Sequence, residues 1–376
     1  MAAPTRVPKI AFFLPHFGHG GAEGVVLRLL EGIDRKRFQP ILILQHRRGE
    51  LLAKLPPDGE VAILAPARPP RCIPALARSC AAREVALIVT VTNATNLYAL
   101  AAAALQGARR MATLVTEHTP VSAFLAEAKL AVPRRAAIRA LYPRADLAGG
   151  PMDEIGADLS ALLGRRAPPF RTLPNPVVDA VGALRPPEPR GSHVVSVGRL
   201  APEKRFDLLI DAFALLHEQR PDARLTIHGD GAERAALTAQ AAKLRLGSVV
   251  SLPGYSADLD SIHGHADVFA CTSRREGLGN AIIEAMARGV PIVSVDCPFG
   301  PPRLLRDGAA GTLVRTHDAA HFATALGRTL DDRDLRLRHA VVGLDVARGY
   351  SIDAAVDAYQ DAFDSAIGAA AARASQ

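Results

Sequence analysis

Two glutamates of this chain stand where their carboxylates could bind a ligand together. Glu276 and Glu284 are eight positions apart in a segment that reads Glu-Gly-Leu-Gly-Asn-Ala-Ile-Ile-Glu. The first lies in a glycine-broken loop, and the second lies inside the helix that this loop is predicted to open. Ionised carboxylates only accept hydrogen bonds, whereas backbone N–H groups at a helix start favour phosphate. The segment therefore suits a ligand that carries both hydroxyl groups and phosphate, as a sugar nucleotide does.

Residue types predict the limits of this helix. Asn280 is a favourable N-cap, residues 281–288 have strong helix propensity, and Gly289 ends the pattern. We therefore expect Glu284 in the first two turns. Each glutamate taken alone is also explained by an ordinary turn or a solvated helix start, and only their combination after an apolar strand favours a ligand site.

Two cations occur at a comparable place near the start of the second half. A predicted strand, Val194 to Val197, leads into a loop that contains Arg199 and Lys204, and an amphipathic helix follows. Open α/β sheets bind ligands at the carboxyl ends of their strands. Guanidinium and ammonium groups at such a strand end indicate a phosphate site.

The first half has two further candidates at predicted strand ends. The glycine-rich loop 17–24 follows the first strand, but Glu23 stands where a dinucleotide fingerprint requires glycine. This loop is either a ligand loop or a plain tight turn. His118 follows the predicted strand Met111 to Thr116, and a histidine there is either structural or directed at a ligand.

Composition indicates a protein with material for a large core. The chain has 376 residues, 49% of them hydrophobic and 22% charged, which favours two domains. Its four cysteines form no Cys-x-x-Cys pair, so a reducing cytosol is the expected compartment. The apolar run near the N-terminus is cut at Pro15, and residues 86–105 include several polar side chains. We therefore predict neither a signal peptide nor a membrane span.

The charge favours an anionic partner. Forty-five basic residues against 38 acidic ones give +7 and a pI near 9.5. Aromatic residues make up only 5% and Trp is absent, which disfavours nucleic acid. The basic residues either form a face for an anionic membrane surface or are spread over solvated faces. The arginine clusters of the first half are Arg47, Arg48, Arg109, Arg110, Arg134, Arg135, Arg139 and Arg144.

Metal binding is not expected. The histidines show no His-x-x-x-His spacing on a helix, and His263 and His265 would point to opposite sides of their segment. Asp258 and Asp260 form an Asp-x-Asp pair, but they stand at a predicted helix start where Asp is a common cap residue. We assign this pair to capping.

Short β-rich runs alternate with helical patterns along the whole chain, which predicts an α/β protein with parallel sheets. A proline-rich connection between residues 172 and 192 indicates a domain boundary. The predicted strands are Ile10 to Leu14, Pro40 to Leu44, Leu87 to Val91, Met111 to Thr116, Val194 to Val197, Arg224 to His228, Val249 to Leu252, Val268 to Thr272 and Pro291 to Val295.

Together these features resemble the retaining, nucleotide-sugar-dependent glycosyltransferases of family 4, also called glycosyl transferases group 1. The likeness spans nearly the whole chain and is most specific in the second half. The matching motifs are Gly20-Gly-Ala-Glu23, Glu117-His118, Asn175-Pro-Val177, Val197-Gly-Arg-Leu200 with Glu203-Lys204, Gly229-Asp-Gly231, Leu252-Pro-Gly254 and Glu276 to Glu284 leading to Gly289-Val-Pro.

The resemblance implies a GT-B fold, in which two facing Rossmann-like domains with parallel sheets enclose a deep interdomain cleft. Residues 1–180 would bind the acceptor, residues 181–350 would bind the nucleotide-sugar donor, and the helix in 351–376 would cross back to the first domain. The residues implied in donor binding are Gly20, Gly21, Arg199, Lys204, Gly254, Glu276, Gly277, Leu278, Gly279, Asn280 and Glu284.

The resemblance also implies roles. Glu276 would contact the sugar hydroxyls, Glu284 the ribose, Arg199 and Lys204 the diphosphate, and His118 the sugar near the reacting carbon. Of these, Glu276, His118, Arg199 and Lys204 would be catalytic. No cofactor and no metal are expected, because fixed cations can neutralise a leaving diphosphate.

The expected reaction is transfer of a hexose or N-acetylhexosamine from a UDP-sugar to a glycan or polyprenyl-linked glycan, in the cytoplasm or at the inner face of the membrane. Residues 296–305 resemble a subgroup that builds bacterial envelope polysaccharides, although that subgroup usually has glutamate where this chain has Arg303. Two alternatives stay open at this stage. One is a sugar-nucleotide epimerase of the same architecture, and the other is a non-catalytic sugar-nucleotide-binding protein.

Overall fold

A computed structural model describes residues 7–18, 20–64, 69–107, 111–127, 130–184, 191–256 and 258–374. The clustered residues Arg109 and Arg110 and the proline-rich residues 185–190 lie outside this part of the chain. Two compact units are present. Residues 1–176 and 352–376 belong to unit 1, and residues 177–351 belong to unit 2.

Unit 1 contains a seven-stranded parallel sheet in the order β3-β2-β1-β4-β5-β6-β7. Apolar runs form its central strands, because a strand covered on both faces is apolar throughout. The strands are β1 (Lys9–Leu14), β2 (Gln39–Leu44), β3 (Glu60–Ile63), β4 (Val85–Thr90), β5 (Ala112–Thr116), β6 (Leu147–Gly150) and β7 (Phe170–Thr172).

Helices cover both faces of the unit 1 sheet. They are α1 (Gly21–Gly32), α2 (Pro69–Ala82), α3 (Asn93–Leu105), α4 (Val121–Glu127), α5 (Ala131–Leu141), α6 (Asp153–Leu163) and the final helix α14 (Ile352–Ala374). Successive residues of β1 enter two separate cores, since Phe12 packs with α1 and α14 whereas Phe13 packs with α2 and α3.

The final helix is an integral part of unit 1. Phe363 of α14 makes edge contacts with Phe12 and Phe38, at ring-centroid distances of 6.2 and 5.4 Å. The Gln360 side chain also accepts a hydrogen bond from the backbone N–H of Asp34 (2.9 Å). Buried aromatic pairs of this kind stabilise beyond their buried area. The chain thus returns to complete the core that its first strand began.

Unit 2 contains a six-stranded parallel sheet in the order β10-β9-β8-β11-β12-β13. Its strands are β8 (His193–Val197), β9 (Arg224–His228), β10 (Val250–Gly254), β11 (Val268–Cys271), β12 (Ile292–Val295) and β13 (Thr312–Val314). Its helices are α7 (Phe206–Gln219), α8 (Arg234–Lys243), α9 (Leu259–His263), α10 (Asn280–Met286), α11 (Gly300–Leu304), α12 (Ala319–Asp331) and α13 (Arg333–Arg348).

The order of strands reverses in both sheets, at β1/β4 in unit 1 and at β8/β11 in unit 2. The connections on either side of such a reversal leave in opposite directions, so a crevice opens at the carboxyl ends of the two strands. In unit 2 this place lies between the loop that carries Lys204 and the loop that carries Glu276. The topology thereby brings the two candidate loops together.

Nine predicted strands are present within one or two residues of their expected ends. Four observed strands, β3, β6, β7 and β13, were not predicted, so the strand before His118 is the fifth and not the fourth. Three of the four, β3, β7 and β13, are edge strands, and β6 lies next to an edge and ends in two glycines. Among the helices of the described residues, none has both the length and the apolar composition needed to cross a bilayer.

Candidate functional site

The loop after β8 is held by two glycines of the loop after β9. The Gly198 N–H donates to the His228 carbonyl and the Leu200 N–H donates to the Asp230 carbonyl, both at 2.9 Å. A Cβ atom at Gly229 would lie 1.9 Å from the Gly198 oxygen, and one at Gly231 would lie 2.3 Å from the Leu200 oxygen. Both glycines also have positive φ. Their role is to let two loop backbones touch.

The loop after β11 is tied to the same β8 loop. The Thr272 hydroxyl donates to the Lys204 carbonyl (3.1 Å), and the Arg274 N–H donates to the Glu203 carbonyl (2.8 Å). Backbone anchoring of this kind limits the positions that the following side chains can reach. Lys204 and Glu276 are therefore presented by one connected backbone structure.

Lys204 and Glu276 form an ion pair at the reversal point of the sheet. The Lys204 Nζ lies 2.5 Å from Glu276 Oε1, and the two side chains are only 22% and 13% exposed. Burial lowers the pKa of Lys204, but the Glu276 carboxylate outweighs burial, so the pKa of this lysine lies above its ordinary value. The ammonium is thus charged at neutral pH and available to an anion.

Sequence reasoning missed two side chains that contact this pair. The Ser273 hydroxyl donates to Glu276 Oε1 at 2.7 Å, and the Cys271 Sγ lies 4.0 Å from the same oxygen. Burial raises the pKa of the Cys271 thiol and raises that of Cys297 to about 12, so both are protonated. The only available signal was position, since Ser273 stands just past a predicted strand end and three residues before Glu276.

Arg199 lies in the same β8 loop but is far more open than Lys204. Its guanidinium pairs with Glu203 at 2.6 Å, and the arginine side chain is 73% exposed. Exposed ion pairs of this type contribute at most about 1 kcal/mol. The guanidinium can therefore exchange Glu203 for a stronger anionic partner at little cost.

The helix α10 differs from the prediction at both ends. Asn280 is its first residue and not its N-cap; Gly279 takes the cap position with φ +90°, and no side chain caps the helix. The helix ends at Met286 rather than at residue 288. Gly279 displaces Asn280 because the backbone here adopts a left-handed conformation that favours glycine. Glu284 lies in the second turn, as expected, and is half-buried.

The loop from Glu276 to Gly279 is packed from below by the start of α11. A Cβ atom at Gly300 would lie 2.6 Å from the Gly277 oxygen and 2.3 Å from the Leu278 oxygen. Leu278 is 4% exposed and anchors the loop in the core. Arg303, the departure from the envelope-polysaccharide subgroup, is half-buried on α11.

Gly254 ends the neighbouring strand β10. Its φ is +102°, and its carbonyl accepts the N–H of Gly229 at 2.8 Å. The Arg234 guanidinium crosses this region, donating to the carbonyls of Gly229 (3.0 Å) and Leu252 (2.8 Å). Gly254 therefore supports the glycine turn that holds the Arg199 loop.

In unit 1 the glycine loop follows β1 at the reversal point of that sheet. A Cβ atom at Gly20 would lie 2.0 Å from the Glu23 carboxylate, whereas one at Gly21 would meet nothing within 4 Å. Glu23 also lies 3.7 Å from the His16 ring. The glutamate therefore occupies the space above Gly20, and Gly21 is the open position of this loop.

His118 follows β5 and carries a neutral ring. Burial lowers its pKa to about 4, although the Asn175 side chain acts in the opposite direction. Its Nε2 is buried and has no hydrogen-bond partner among the described residues. A buried nitrogen without a partner is costly in a finished core. It therefore marks His118 as a unit 1 side chain that retains hydrogen-bonding capacity for a ligand.

The residue before His118 belongs to a buried polar network that the sequence did not reveal. Glu117 accepts hydrogen bonds from Tyr142, from Asn93 (3.1 Å) and from Asn96 (2.9 Å). Burial raises the pKa of Glu117, and these three donors only partly oppose that shift. The network fixes the backbone at the carboxyl end of β5 and with it the position of His118.

Asp258 of the Asp-x-Asp pair has the capping role expected for it, whereas the Asp260 side chain pairs with Arg288 at 2.8 Å. Asp258 Oδ1 accepts the backbone N–H groups of Asp260 (3.1 Å) and Ser261 (2.9 Å) at the start of α9. Within the described ranges, no three His, Cys, Asp or Glu side chains converge as a metal site would require.

Comparisons with known proteins agree with this architecture. Residues 19–181 match the family Glycosyltransferase Family 4, and residues 187–341 match the family Glycosyl transferases group 1. HepE of Anabaena, solved in complex with UDP and glucose, superposes with a TM-score of 0.79 at 20% identity, covering 95% of this chain and 99% of that chain. The chain therefore belongs to the glycosyltransferases of GT-B fold.

Two curated relatives share higher identity over shorter stretches. The lipopolysaccharide core biosynthesis glycosyltransferase LpsE of Rhizobium meliloti is 38% identical over 167 residues, 44% of this chain and 48% of LpsE. The GtfA subunit of the UDP-N-acetylglucosamine–peptide N-acetylglucosaminyltransferase of Streptococcus parasanguinis is 34% identical over 146 residues, 38% of this chain and 29% of that subunit. These matches span less than half the length of either relative.

Proposed function

We propose that this protein transfers a hexose or an N-acetylhexosamine from a UDP-sugar to a glycan or lipid-linked glycan, with retention of the anomeric configuration and without a metal ion. The observation that carries the proposal is the Lys204–Glu276 pair, 2.5 Å apart at the reversal point of the unit 2 sheet. A cation for phosphate and a carboxylate for sugar hydroxyls stand side by side. A sugar nucleotide offers phosphate to the first group and hydroxyls to the second.

Lys204 and Arg199 would stabilise the leaving group. As the bond between the sugar and UDP breaks, negative charge collects on the diphosphate, and fixed cations lower the energy of that state. Lys204 is largely shielded from water, which strengthens its attraction, while Arg199 is open and can close onto the phosphate. Two such cations can serve where other transferases use a divalent metal.

Glu276 would orient the sugar, and Glu284 would bind the ribose. Lys204 and Ser273 both contact Oε1 of Glu276, so Oε2 is the oxygen that can accept hydrogen bonds from the sugar. Glu284, eight positions later, lies in the second turn of α10. The backbone of Gly277, Leu278 and Gly279 connects the two carboxylates and would approach the donor closely.

The chemical step would conserve configuration by front-face attack. The acceptor hydroxyl oxygen forms a bond to the anomeric carbon while the bond to the departing diphosphate oxygen breaks, and that diphosphate takes the acceptor proton. His118, neutral above about pH 4, would donate or accept a hydrogen bond at the sugar rather than act as an acid. The residues then mainly position the reactants and stabilise charge.

The names of similar proteins support the substrate class. HepE was crystallised with UDP and glucose, and LpsE is named for lipopolysaccharide core biosynthesis. The first names the two parts of a UDP-sugar, and the second names a glycosyltransferase of lipopolysaccharide synthesis. We therefore place the acceptor of this chain among envelope glycans or their polyprenyl-linked precursors.

An anionic membrane surface is the proposed partner of unit 1, at the cytoplasmic face. Residues 130–141 contain three arginines and no acidic residue. Leu130 and Val132 in the same segment are 67% and 81% exposed. Cationic and apolar side chains displayed together bind acidic lipid more strongly than either type alone.

A donor panel tests the proposal. Thermal unfolding would be compared in the presence of UDP-, GDP- and ADP-sugars, and the stabilising donor would then be supplied in radiolabelled form with membrane lipid extract. We expect stabilisation by a UDP-sugar and label in the lipid fraction, with EDTA having no effect. Loss of transfer on adding EDTA would contradict the metal-free mechanism. If the donor binds and is released in epimerised form, the epimerase alternative would be supported. If the donor binds with no turnover at all, the non-catalytic binding protein would be supported.

A further inference from the structure

Ser273 contacts Glu276 but has no role of its own in the proposed reaction. Its hydroxyl donates to Oε1 of Glu276 at 2.7 Å, and Lys204 Nζ lies 2.5 Å from the same oxygen. Among the hydrogen bonds of the described residues, none reaches Oε2. One carboxylate oxygen therefore receives both protein donors, and the other is left for a ligand.

The position of Ser273 rules out direct contact with a substrate. It is 2% exposed and lies two residues past the end of β11. The neighbouring residues Thr272 and Arg274 are both bonded to backbone carbonyls of the β8 loop. The hydroxyl is thus held inside the protein, where it donates to Glu276 and accepts from the Cys271 thiol (3.7 Å).

The two donors on Oε1 differ in how they respond to a bound diphosphate. Lys204 carries its charge on a flexible four-carbon stem, so a diphosphate can draw the ammonium toward itself. Ser273 is neutral, short and anchored by its backbone. When the lysine turns to phosphate, the serine is the donor that still holds Oε1.

We propose that Ser273 is a positioning residue that fixes the orientation of the Glu276 carboxylate and so directs Oε2 at a sugar hydroxyl. This inference rests on the proposed function, because it assigns Glu276 to the donor sugar. It adds a residue that contacts neither sugar nor nucleotide. It also predicts that the serine affects the recognition of sugar and not that of UDP.

The test compares Ser273→Ala and Ser273→Thr by calorimetric titration with UDP, UDP-glucose and UDP-N-acetylglucosamine. For Ser273→Ala we expect an affinity for UDP within twofold of wild type and about tenfold weaker binding of the better UDP-sugar, the effect of one lost hydrogen bond to a charged group. Ser273→Thr keeps the hydroxyl and should retain most of the wild-type affinity for that UDP-sugar.

Ser196→Ala is the matched control. Ser196 is equally buried at 2% exposure, but its hydroxyl donates to the Ala270 carbonyl (2.6 Å) and not to a carboxylate. This variant should lose stability without losing preference for UDP-sugar over UDP. A sugar-specific loss in Ser273→Ala that Ser196→Ala does not share would support the positioning role.

A double-mutant cycle completes the test. If Ser273 acts only through Glu276, then Ser273→Ala has no further effect on sugar binding in a Glu276→Ala background. Additive losses in the double mutant would overturn the inference. So would a Ser273→Ala variant that binds the UDP-sugar as tightly as wild type does, or one whose affinity for UDP falls as much as its affinity for the UDP-sugar. Wild-type protein that binds no UDP at all would instead overturn the proposed function on which the inference rests.

Discussion

Lys204 and Glu276 are 72 positions apart in the chain, yet Nζ of the lysine lies 2.5 Å from Oε1 of the glutamate. Neighbouring strands β8 and β11 bring them together, and hydrogen bonds between the two loops hold them there. The pair is mostly shielded from water, so each charged group offsets the cost of burying the other. A donor that approaches the pair meets a charged ammonium and a carboxylate with one oxygen left open.

The first prediction concerns this pair. Lys204→Ala removes the shielded cation that would neutralise the diphosphate, and we expect a loss of sugar transfer of roughly 100-fold or more. Glu276→Gln should lower transfer comparably, because the amide has one oxygen that accepts hydrogen bonds whereas the carboxylate has two. Initial rates with the stabilising UDP-sugar measure both effects.

The control for that prediction is an exposed ion pair of unit 2. Arg306 and Asp345 lie 2.8 Å apart with both side chains more than half exposed. Asp345→Asn should leave the transfer rate within twofold of wild type. Equal losses in this variant and in Lys204→Ala would show that the rate reports general damage rather than a role in the site.

The second prediction concerns the glycine that supports the Arg199 loop. Gly229→Ala would place a methyl group 1.9 Å from the Gly198 carbonyl oxygen at φ +137°, so the β8 loop must shift. We expect a loss of roughly 1–3 kcal/mol in the free energy of unfolding and weaker UDP binding. Urea denaturation and UDP titration measure the two effects.

Gly247→Ala provides the matched change for Gly229→Ala. An added methyl group at Gly247 meets nothing within 4 Å, and this glycine does not have positive φ. The free energy of unfolding of the Gly247→Ala variant should stay within about 0.5 kcal/mol of wild type. If Gly229→Ala kept the wild-type urea midpoint and UDP affinity, the support assigned to this glycine would be wrong.

The third prediction is a pH dependence of stability from His118. Burial lowers its pKa in the folded protein to about 4, below the value near 6.5 expected when unfolded. Between these values the unfolded chain binds a proton that the folded chain does not. The contribution of the neutral His118 ring to the free energy of unfolding is therefore fully present above about pH 6.5. It is lost as the pH falls toward 4, by roughly 3 kcal/mol in total.

His118→Gln isolates that contribution. Glu117, whose pKa is raised by burial, acts in the opposite direction, but it is present in both proteins and cancels in the difference. Chemical unfolding of wild type and variant at several pH values from 4 to 8 should show curves that diverge as the pH falls. Parallel curves over this range would contradict a neutral buried ring.

The fourth prediction concerns the basic and apolar surface of residues 130–141. Replacing Arg135 and Arg139, both exposed, by Glu should reduce binding to vesicles that contain anionic lipid by roughly 30-fold or more, since each arginine near the surface contributes about 1 kcal/mol. Binding to neutral vesicles should change little. Sedimentation with the two kinds of vesicle measures this difference.

Two other exposed arginines of unit 1 serve as the comparison. Arg165 and Arg166 lie in the short 3-10 turn that follows α6, and replacing both by Glu changes the net charge by the same amount. If this second variant lost vesicle binding to the same extent, net charge and not the 130–141 surface would account for attachment.

Much of the fold could be predicted because local rules determine it. Strands buried on both faces are apolar runs, and seven of the nine that were predicted are of this kind or close to it, whereas β9 and β10 include exposed positions. The four missed strands are three or four residues long, and β6 reads Leu-Ala-Gly-Gly, a sequence with little intrinsic preference for a strand. Pairing with a neighbour makes these segments strands, and pairing is not a local property.

The sequence by itself determined the residue types at the strand ends, the glycine turns and the family resemblance, because each follows from neighbours within a few positions. It also placed Glu276 in a loop and Glu284 two turns into a helix. Only the tertiary structure decided that Lys204, Ser273 and Glu276 meet at one oxygen. That meeting depends on the reversal of strand order at β8 and β11, which joins loops 72 positions apart and which no local pattern encodes.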